Sequence, residues 1–177
     1  MMLVVGLGNP GEKYQNNRHN AGFILINEFA KKWELTWQYN KKFNAEIVQY
    51  KGKSRSKDSD IILLKPQTFM NDSGASVSKA LSYFNIEPAN LLVIHDDVDL
   101  EVLQFKVSRN SSSAGHHGVQ NIIDKIGTQD FLRFRVGIGR PVIEIDVEKY
   151  VLQDFPSDQL EVVKKQGIEH LLSSLNL

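Results

Sequence analysis

The sequence predicts an α/β fold, in which a twisted, mixed and mostly parallel sheet is flanked by helices in three layers. Apolar runs of strand length alternate with stretches whose apolar residues recur at helical spacing, and this alternation is typical of a sheet covered by helices on both faces. The 177 residues are the length of one ordinary domain, and the chain has no internal repeat, low-complexity tract or long linker. We therefore expect one domain over residues 1–177.

Short apolar or alternating runs predict the strands. Continuous apolar runs at 3–5 and 91–94 indicate buried strands, whereas alternation at 102–107 and 131–138 indicates half-buried strands. Two more short strands are expected at 47–48 and 61–64, on either side of a polar loop at 51–60. Pro66 should end the second of these strands, because proline cannot donate a hydrogen bond to a neighbouring strand.

Helical periodicity covers most of the remaining chain. Residues 22–33 place their large apolar side chains on one face, and residues 119–126 do the same. A third helix should run to about Phe84, with Ser73 as its N-cap, and a closing helix is expected over 158–175. Helices between strands are the reason to expect a mostly parallel sheet.

Gly6, Gly8 and Gly11 follow the first strand with the spacing G-x-G-x-x-G, which is also found in dinucleotide-binding loops. Such a loop needs a helix to begin inside the motif, but Pro10 interrupts it and residues 12–20 have no amphipathic pattern. The expected acidic residue at the end of a second strand is also missing. We interpret the glycines as a sharp turn where a strand meets a pocket.

Composition excludes several classes of function. The chain has 0 cysteines, which excludes thiol catalysis, thiolate metal sites and disulfides, and is compatible with a reducing cytoplasm. No apolar run approaches the roughly 20 residues of a membrane span, and Met1 is not followed by a leader, so we expect no membrane association. The formal net charge is +0, so any nucleic-acid binding should depend on a local patch. The basic segment 41–57 is one candidate, and a solvated loop is its alternative interpretation.

Polar residues follow three of the predicted strands. Asn9 follows the first strand, residues 69–71 follow the strand at 61–64, and residues 95–97 follow the strand at 91–94. Ligands of open α/β sheets bind beyond the carboxyl ends of the strands. If these three strands are parallel, the polar groups converge on one rim of the sheet.

His19 and Asp96 are candidates for a general base and the carboxylate that orients it. The chain has no serine nucleophile elbow and no cysteine, so activated water is the expected nucleophile. The alternative is that His19 caps the helix that begins near Ala21 and that Asp96 and Asp97 are turn residues.

The stretch SSSAGHHG, residues 111–118, is a third candidate site. Its small residues precede a predicted helix, whose free N–H groups could bind an anionic or carbonyl oxygen. His116 and His117 could instead bind a metal ion together with Asp96, Asp97 and Asp99, although adjacent side chains seldom converge on one ion. An exposed loop with solvated histidines is the third interpretation.

Five stretches in order resemble the motifs of bacterial peptidyl-tRNA hydrolases: GLGNPGEKYQNNRHNAGF, KPQTFMNDSG, HDDVDL, SSSAGHHG and FRVGIGRP. The resemblance extends from Leu3 to about Pro141 and more loosely through the last helix. It implies a mixed sheet flanked by helices and a monomeric cytoplasmic enzyme without metal or cofactor. The implied reaction is cleavage of the ester between a peptide and the 3′ terminal ribose of tRNA.

The resemblance also implies roles for individual residues. His19 matches the family's catalytic base and Asp96 the carboxylate that holds it. Asn9 matches the residue that helps distinguish a blocked aminoacyl end from a free amine. The matching substrate-binding positions are Tyr14, Phe69 and Asn71, and the basic pair expected to meet the tRNA phosphate is Lys106 and Arg135.

His117 departs from the family pattern, which usually has asparagine at this position. Both side chains donate and accept hydrogen bonds, but histidine is larger and can be charged. Substrate contact at His117 is therefore expected to differ in affinity or pH response.

Two other function classes remain open from the residues. A non-catalytic RNA-binding relative would keep the basic groups but could lose the base, and the presence of both His19 and Asp96 argues against it. A metal-dependent phosphoesterase would use Asp96, Asp97, Asp99 and His116, and its activity would be abolished by a chelator.

Overall fold

A seven-stranded mixed sheet forms the centre of the protein, whose computed structural model describes residues 1–52, 60–141 and 145–177. The strand order within these residues is β2-β3-β4-β1-β5-β7-β6. The strands are β1 (Met2–Gly6), β2 (Gln38–Asn40), β3 (Ala45–Tyr50), β4 (Ile61–Pro66), β5 (Leu91–Asp97), β6 (Phe105–Arg109) and β7 (Leu132–Gly137). The central strands β4, β1, β5 and β7 are mutually parallel, and the pairs β2/β3, β3/β4 and β6/β7 are antiparallel.

Helices cover both faces of this sheet. They are α1 (Ala21–Lys32), α2 (Ser73–Phe84), α3 (His117–Ile126), α4 (Val147–Val151), α5 (Ser157–Val162) and α6 (Ile168–Ser174). A π-helical turn, Val163–Gly167, joins α5 to α6, so the expected closing helix is continuous but locally widened. Short 3₁₀ turns lie at Glu12–Tyr14, Arg18–Asn20, Met70–Asp72 and Pro88–Asn90.

Alternate residues of the central strands point to opposite faces, and this divides the core in two. Val4 and Ile94 pack with α1 and the last helices, whereas Leu3, Val5 and Val93 pack with α2 and α3. The two apolar clusters lie on opposite faces of one sheet. The predicted three-layer α/β fold is therefore confirmed.

Most predicted elements are present, but several boundaries differ. Ser73 is the first residue of α2 and not its cap, because its hydroxyl donates to the Met70 carbonyl oxygen (2.9 Å). The strand expected at 102–107 begins only at Phe105, since the chain turns at Leu103, whose φ is 64°. Strand β5 continues through Asp97, so the polar residues 95–97 belong to the strand itself. Pro66 is the last residue of β4, in agreement with its predicted role.

The glycine motif allows β1 and α1 to pack closely. A Cβ atom on Gly6 would lie 2.4 Å from the Gly22 carbonyl oxygen, and one on Gly8 would lie 2.6 Å from the Phe23 ring. Of the three motif glycines only Gly11 has a positive φ, 115°. The expected sharp turn therefore accounts for Gly11 alone, and the other two glycines make room for the helix that carries the site.

Candidate active site

A pocket of about 480 Å³ opens at the carboxyl ends of the parallel strands. The predicted site residues that line it are Asn9, His19, Phe69, Asn71, Asp96 and His117. The strands β1, β4 and β5 are parallel, so the predicted convergence of their polar ends is confirmed. Tyr14, Lys106 and Arg135 lie outside the pocket lining.

His19 and Asp96 are in direct contact, although they are 77 residues apart in the sequence. The Nδ1 atom of His19 lies 3.0 Å from one carboxylate oxygen of Asp96 and 3.1 Å from the other. His19 lies in the 3₁₀ turn just before α1, and Asp96 is near the end of β5. With Nδ1–H donating to the carboxylate, the lone pair of His19 lies on Nε2, where a base needs it.

A second histidine donates to the same carboxylate. The Nε2 atom of His116 lies 3.1 Å from Asp96 Oδ1, while its Nδ1 accepts the Val119 backbone N–H at 3.3 Å as the N-cap of α3. Because Nδ1 is an acceptor, the proton of the neutral ring is on Nε2. His116 is therefore a fixed donor to Asp96, and its ring lies 4.8 Å from that of His19.

His95 packs beneath His116 as a third, fully buried histidine. Its Nδ1–H donates to the Asp96 carbonyl oxygen (2.7 Å), and its ring meets that of His116 edge-on at 4.8 Å. Burial, together with the neighbouring His116, lowers the pKa of His95 to about 3. His95 is therefore neutral at physiological pH and supports the pair above it.

Burial and hydrogen bonding determine the charges of the central pair. Burial by itself would raise the pKa of the Asp96 carboxyl, but His19 and His116 hold this pKa well below its usual range. Burial lowers the pKa of His19, yet the charge and hydrogen bond of Asp96 outweigh it, so the pKa of His19 is raised above 6.5. The pair thus consists of a permanent carboxylate and a strengthened base.

Asn9 is held in one orientation by two neighbours. Its backbone N–H donates to Asn20 Oδ1, and its carbonyl oxygen accepts from Asn20 Nδ2, both at 2.9 Å. Its side-chain oxygen accepts the Met70 backbone N–H at 2.9 Å. The Asn9 amide nitrogen is therefore left as a donor toward the pocket.

Arg18 attaches the segment before His19 to the residues of and after α4, which also form one wall of the pocket through Val151 and Leu152. Its guanidinium donates to the Asp154 carbonyl oxygen (3.0 Å) and stacks on the Tyr150 ring at 4.4 Å. Asn17 donates to the Leu152 carbonyl oxygen in the same wall. The turn that contains His19 and the residues of and after α4 are therefore held as one unit.

One side of the pocket is apolar. Phe69, Val147 and Leu152 are 62%, 41% and 44% exposed, although such side chains are usually buried. Val98 and Val151 complete the surface. The pocket therefore joins hydrogen-bonding groups to an apolar wall that suits an aliphatic or aromatic side chain.

Lys106 and Arg135 lie beside each other on the neighbouring strands β6 and β7. Lys106 is exposed. Arg135 is mostly buried, and its Nε donates to Asp97 Oδ2 at 2.7 Å. This ion pair was not foreseen from the sequence, because 38 residues separate the two partners.

The five residues of the possible metal site do not all converge, because among their side chains only those of Asp96 and His116 are hydrogen-bonded to each other. His116 points to Asp96, whereas the exposed His117 points to Glu148 of α4, with 3.8 Å between His117 Nε2 and Glu148 Oε1. Asp97 and Asp99 pair with Arg135 and Arg140. His19, Asp96 and His116 do lie within 4.8 Å of one another, and in this arrangement His19 Nδ1 and His116 Nε2 both face the Asp96 carboxylate at hydrogen-bond distance. The site as arranged fits a hydrogen-bonded network better than an ion.

The basic segment 41–57 is described only in part. Lys42 lies over the Tyr83 ring at 4.0 Å, and Lys41 and Lys51 are exposed. The other basic residues of the segment, Lys53, Arg55 and Lys57, lie outside the described residues. Contact of this segment with nucleic acid stays a prediction.

Known proteins are similar to this chain over nearly its whole length. A sequence model of the family described as "Peptidyl-tRNA hydrolase" matches residues 3–177. The chain belongs to the peptidyl-tRNA hydrolase family. It is 41% identical to the peptidyl-tRNA hydrolase of Rickettsia canadensis, covering 100% of this chain and 92% of that protein. It is 40% identical to that of Thermodesulfovibrio yellowstonii, covering 99% and 93%.

Solved structures of the family agree with the fold. The crystal structure of peptidyl-tRNA hydrolase from Acinetobacter baumannii superposes with a TM-score of 0.88 at 33% identity, covering 100% of this chain and 87% of that chain. The predicted family is therefore confirmed. No helix in the described part of this family member is long and apolar enough to cross a membrane.

Sequence reasoning missed parts of the site. The hydrogen bond from His116 to Asp96 was not predicted, although the N-terminal position of His116 on a helix was a signal that it could act as a cap. Neither α4, which supplies much of the apolar wall, nor the supporting position of His95 had been assigned. No sequence pattern indicated either of them.

Proposed function

We propose that this protein hydrolyses the ester between a peptide, or an N-blocked aminoacyl group, and the 3′ terminal ribose of tRNA. The observation that carries the proposal is the His19–Asp96 contact in a pocket that combines amide donors with an apolar wall. Family membership supplies the substrate class, and the geometry supplies the chemistry. Water is the nucleophile.

The reaction begins with removal of a proton from water by His19 Nε2. The hydroxide oxygen adds to the ester carbonyl carbon, and Asp96 stabilises the imidazolium that forms. The Asn71 amide or the N–H groups of residues 115–118 bind the oxyanion, and this assignment is supported by the presence of Asn71 and of residues 115–117 in the pocket lining. His19 then returns the proton to the ribose oxygen as the ester C–O bond breaks. The products are a free peptide carboxylate and tRNA with a free ribose hydroxyl.

Substrate recognition is divided between the two sides of the pocket. The Asn9 donor is suited to a carbonyl oxygen of a blocked amino group, which a free amine lacks. Phe69 and the apolar wall receive the peptide side chains, and Asn71 and His117 bind the ester end. Tyr14, Lys106 and Arg135 lie outside the pocket lining. Tyr14 keeps its assignment to substrate binding, and Lys106 and Arg135 meet a phosphate of the tRNA.

We assign the enzyme to the cytoplasm as a monomer that needs no cofactor. The lack of cysteine is compatible with a reducing compartment. The hydrogen-bonded arrangement of His19, Asp96 and His116 supports chemistry that proceeds through a base and not through a metal-bound water. These assignments follow from the residues and from the family.

The test is incubation with N-acetyl-aminoacyl-tRNA in the presence of a chelator. Wild type should release the acyl group, and His19→Ala should not. His170→Ala is the matched control, because His170 stacks on Phe105 away from the pocket and should leave activity unchanged. Activity that is lost in the chelator and restored by a divalent ion would favour the metal-dependent alternative. Binding of tRNA without any release by wild type would favour a non-catalytic RNA-binding protein.

A further inference from the structure

Two cations occupy directly opposed positions on neighbouring strands. Lys106 of β6 and Arg135 of β7 are cross-strand partners. Like charges opposite each other destabilise a sheet, so the arrangement needs a compensating anion. Lys106 is exposed, whereas the Arg135 side chain is only 19% exposed. The buried member of the pair is the one whose orientation the protein can control.

Asp97 provides the compensating carboxylate and is itself rigidly held. One oxygen accepts the Arg135 Nε–H at 2.7 Å, and the other accepts the Asp99 backbone N–H at 2.8 Å. The Asp97 side chain is 4% exposed. With both oxygens engaged, the carboxylate has one orientation, and the guanidinium takes its orientation from it.

The bond to Nε leaves the outer edge of the guanidinium available. In the part of the chain that the structure describes, the two Nη groups of Arg135 donate to no protein acceptor, and neither is fully buried. These groups form the fork that binds a phosphate through two parallel hydrogen bonds. Asp97 thus occupies the inner side of the guanidinium and leaves the outer side for an anion.

Asp97 also connects this cation to the catalytic pocket. It follows Asp96 directly in β5, and it lines the pocket. The position of the phosphate-binding group is therefore fixed relative to the carboxylate that holds the base.

We propose that Asp97 is a positioning residue that presents Arg135 to a tRNA phosphate in register with the catalytic pair. This inference rests on the proposed function. If Asp97 positions Arg135, its removal should weaken the binding of phosphate. If Asp97 only neutralised the charge of Arg135, its removal would strengthen the attraction of Arg135 for phosphate.

The experiment compares Asp97→Ala with Asp97→Asn, which keeps an oxygen acceptor for Arg135. We measure kcat and KM for N-acetyl-aminoacyl-tRNA over a range of salt concentrations, together with the Tm. Asp97→Ala should raise KM about 3- to 10-fold with kcat within about twofold, and it should flatten the salt dependence of log(1/KM) by up to about one unit of slope. Asp97→Asn should recover most of the lost affinity. Adding Asp97→Ala to Arg135→Ala should cause no further loss.

Asp130→Ala is the matched control, since Asp130 accepts from the Arg109 Nε at 2.8 Å on the exposed part of the same sheet edge. It should change neither constant. A lower KM in Asp97→Ala, a fall in kcat without a change in KM, or an equal defect in Asp97→Asn would each overturn the positioning role.

Binding of deacylated tRNA separates this inference from the proposed function. If wild type binds tRNA and Asp97→Ala weakens that binding, Arg135 is positioned for RNA even if wild type releases no acyl group. If wild type hydrolyses the ester and both proteins bind tRNA equally, the proposed function stands and the role of Asp97 is wrong.

Discussion

The substitution Asp96→Asn tests the proposed catalytic pair, His19 and Asp96, most directly, because it removes the negative charge with almost no change in shape. His19 Nδ1 is 3.0 Å from one oxygen of Asp96 and 3.1 Å from the other. An amide in this place can still accept one hydrogen bond. Its NH₂ group can also donate to His19 Nδ1, which moves the ring proton to Nε2 and removes the base.

The expected loss follows from the geometry of this pair. Unit charges about 4 Å apart interact by about 4 kcal/mol at an effective dielectric constant of about 20. Loss of that stabilisation of the imidazolium corresponds to roughly a thousandfold fall in kcat. The binding of tRNA should be nearly unchanged, because Asp96 is 2% exposed and lies beneath His19.

The assay is single-turnover release from N-acetyl-aminoacyl-tRNA as a function of pH, with binding measured separately on deacylated tRNA. Wild-type activity should fall as pH drops through a His19 pKa that is raised above 6.5. In Asp96→Asn the burial remains but the charge does not, so this acid limb should move to lower pH. Asp130→Asn, an exposed ion-pair partner, is the control. A loss of less than about tenfold, or equal losses of turnover and tRNA binding, would refute the orienting role.

Three other predictions concern the groups that support the site. His95 itself should contribute a loss of about 1.4 kcal/mol of unfolding free energy per pH unit as the pH falls below about 6.5, because its buried ring resists the protonation that the unfolded chain accepts. Urea titrations at pH 7 and 5 should therefore show a smaller loss of unfolding free energy for His95→Asn than for wild type. Gly22→Ala should lower the free energy of unfolding by about 3 kcal/mol and the Tm by about 10 °C, because the new Cβ would lie 2.3 Å from the Leu7 nitrogen. An unchanged Tm in calorimetry would contradict this prediction. Asn20→Ala should lower the free energy of unfolding by about 3 kcal/mol and reduce turnover, because it removes both hydrogen-bond partners of the Asn9 backbone. An unchanged free energy of unfolding in urea titrations would contradict this role of Asn20.

Elements with strong periodicity were predictable from the sequence. The helices α1 and α3 and the strands β1 and β5 have clear apolar patterns, and tertiary packing follows those patterns. The strand β2 (Gln38–Asn40) was missed because it is short, polar and mostly exposed at the sheet edge. The helix α4 was missed because five residues are too few to display a period. Local sequence does not contain the contacts that stabilise either element.

For the candidate site, the sequence predicted that Asn9, His19 and Asp96 lie together, but not how their protons are arranged or which side chains support them. Parallel strands bring Asn9 and Asp96 to one rim whatever the details of packing. The proton on His116 depends on the N–H of Val119, and this contact exists only once α3 is in place. The Asp97–Arg135 pair joins residues 38 positions apart, and the sequence contained no signal for it.

A formal net charge of +0 is compatible with RNA binding because of how the charges are distributed. At the rim, Asp97 and Asp99 pair with Arg135 and Arg140, and Asp96 is held between two histidines. The carboxylates at 96 and 97 are buried, so they orient cations without presenting negative charge to solvent. Lys106, the neighbour of Arg135, is exposed. A phosphate that approaches Lys106 and Arg135 therefore meets two cations, while the carboxylate that pairs with Arg135 is buried behind it. Such an attraction is local, lies beside the pocket and does not depend on the overall charge.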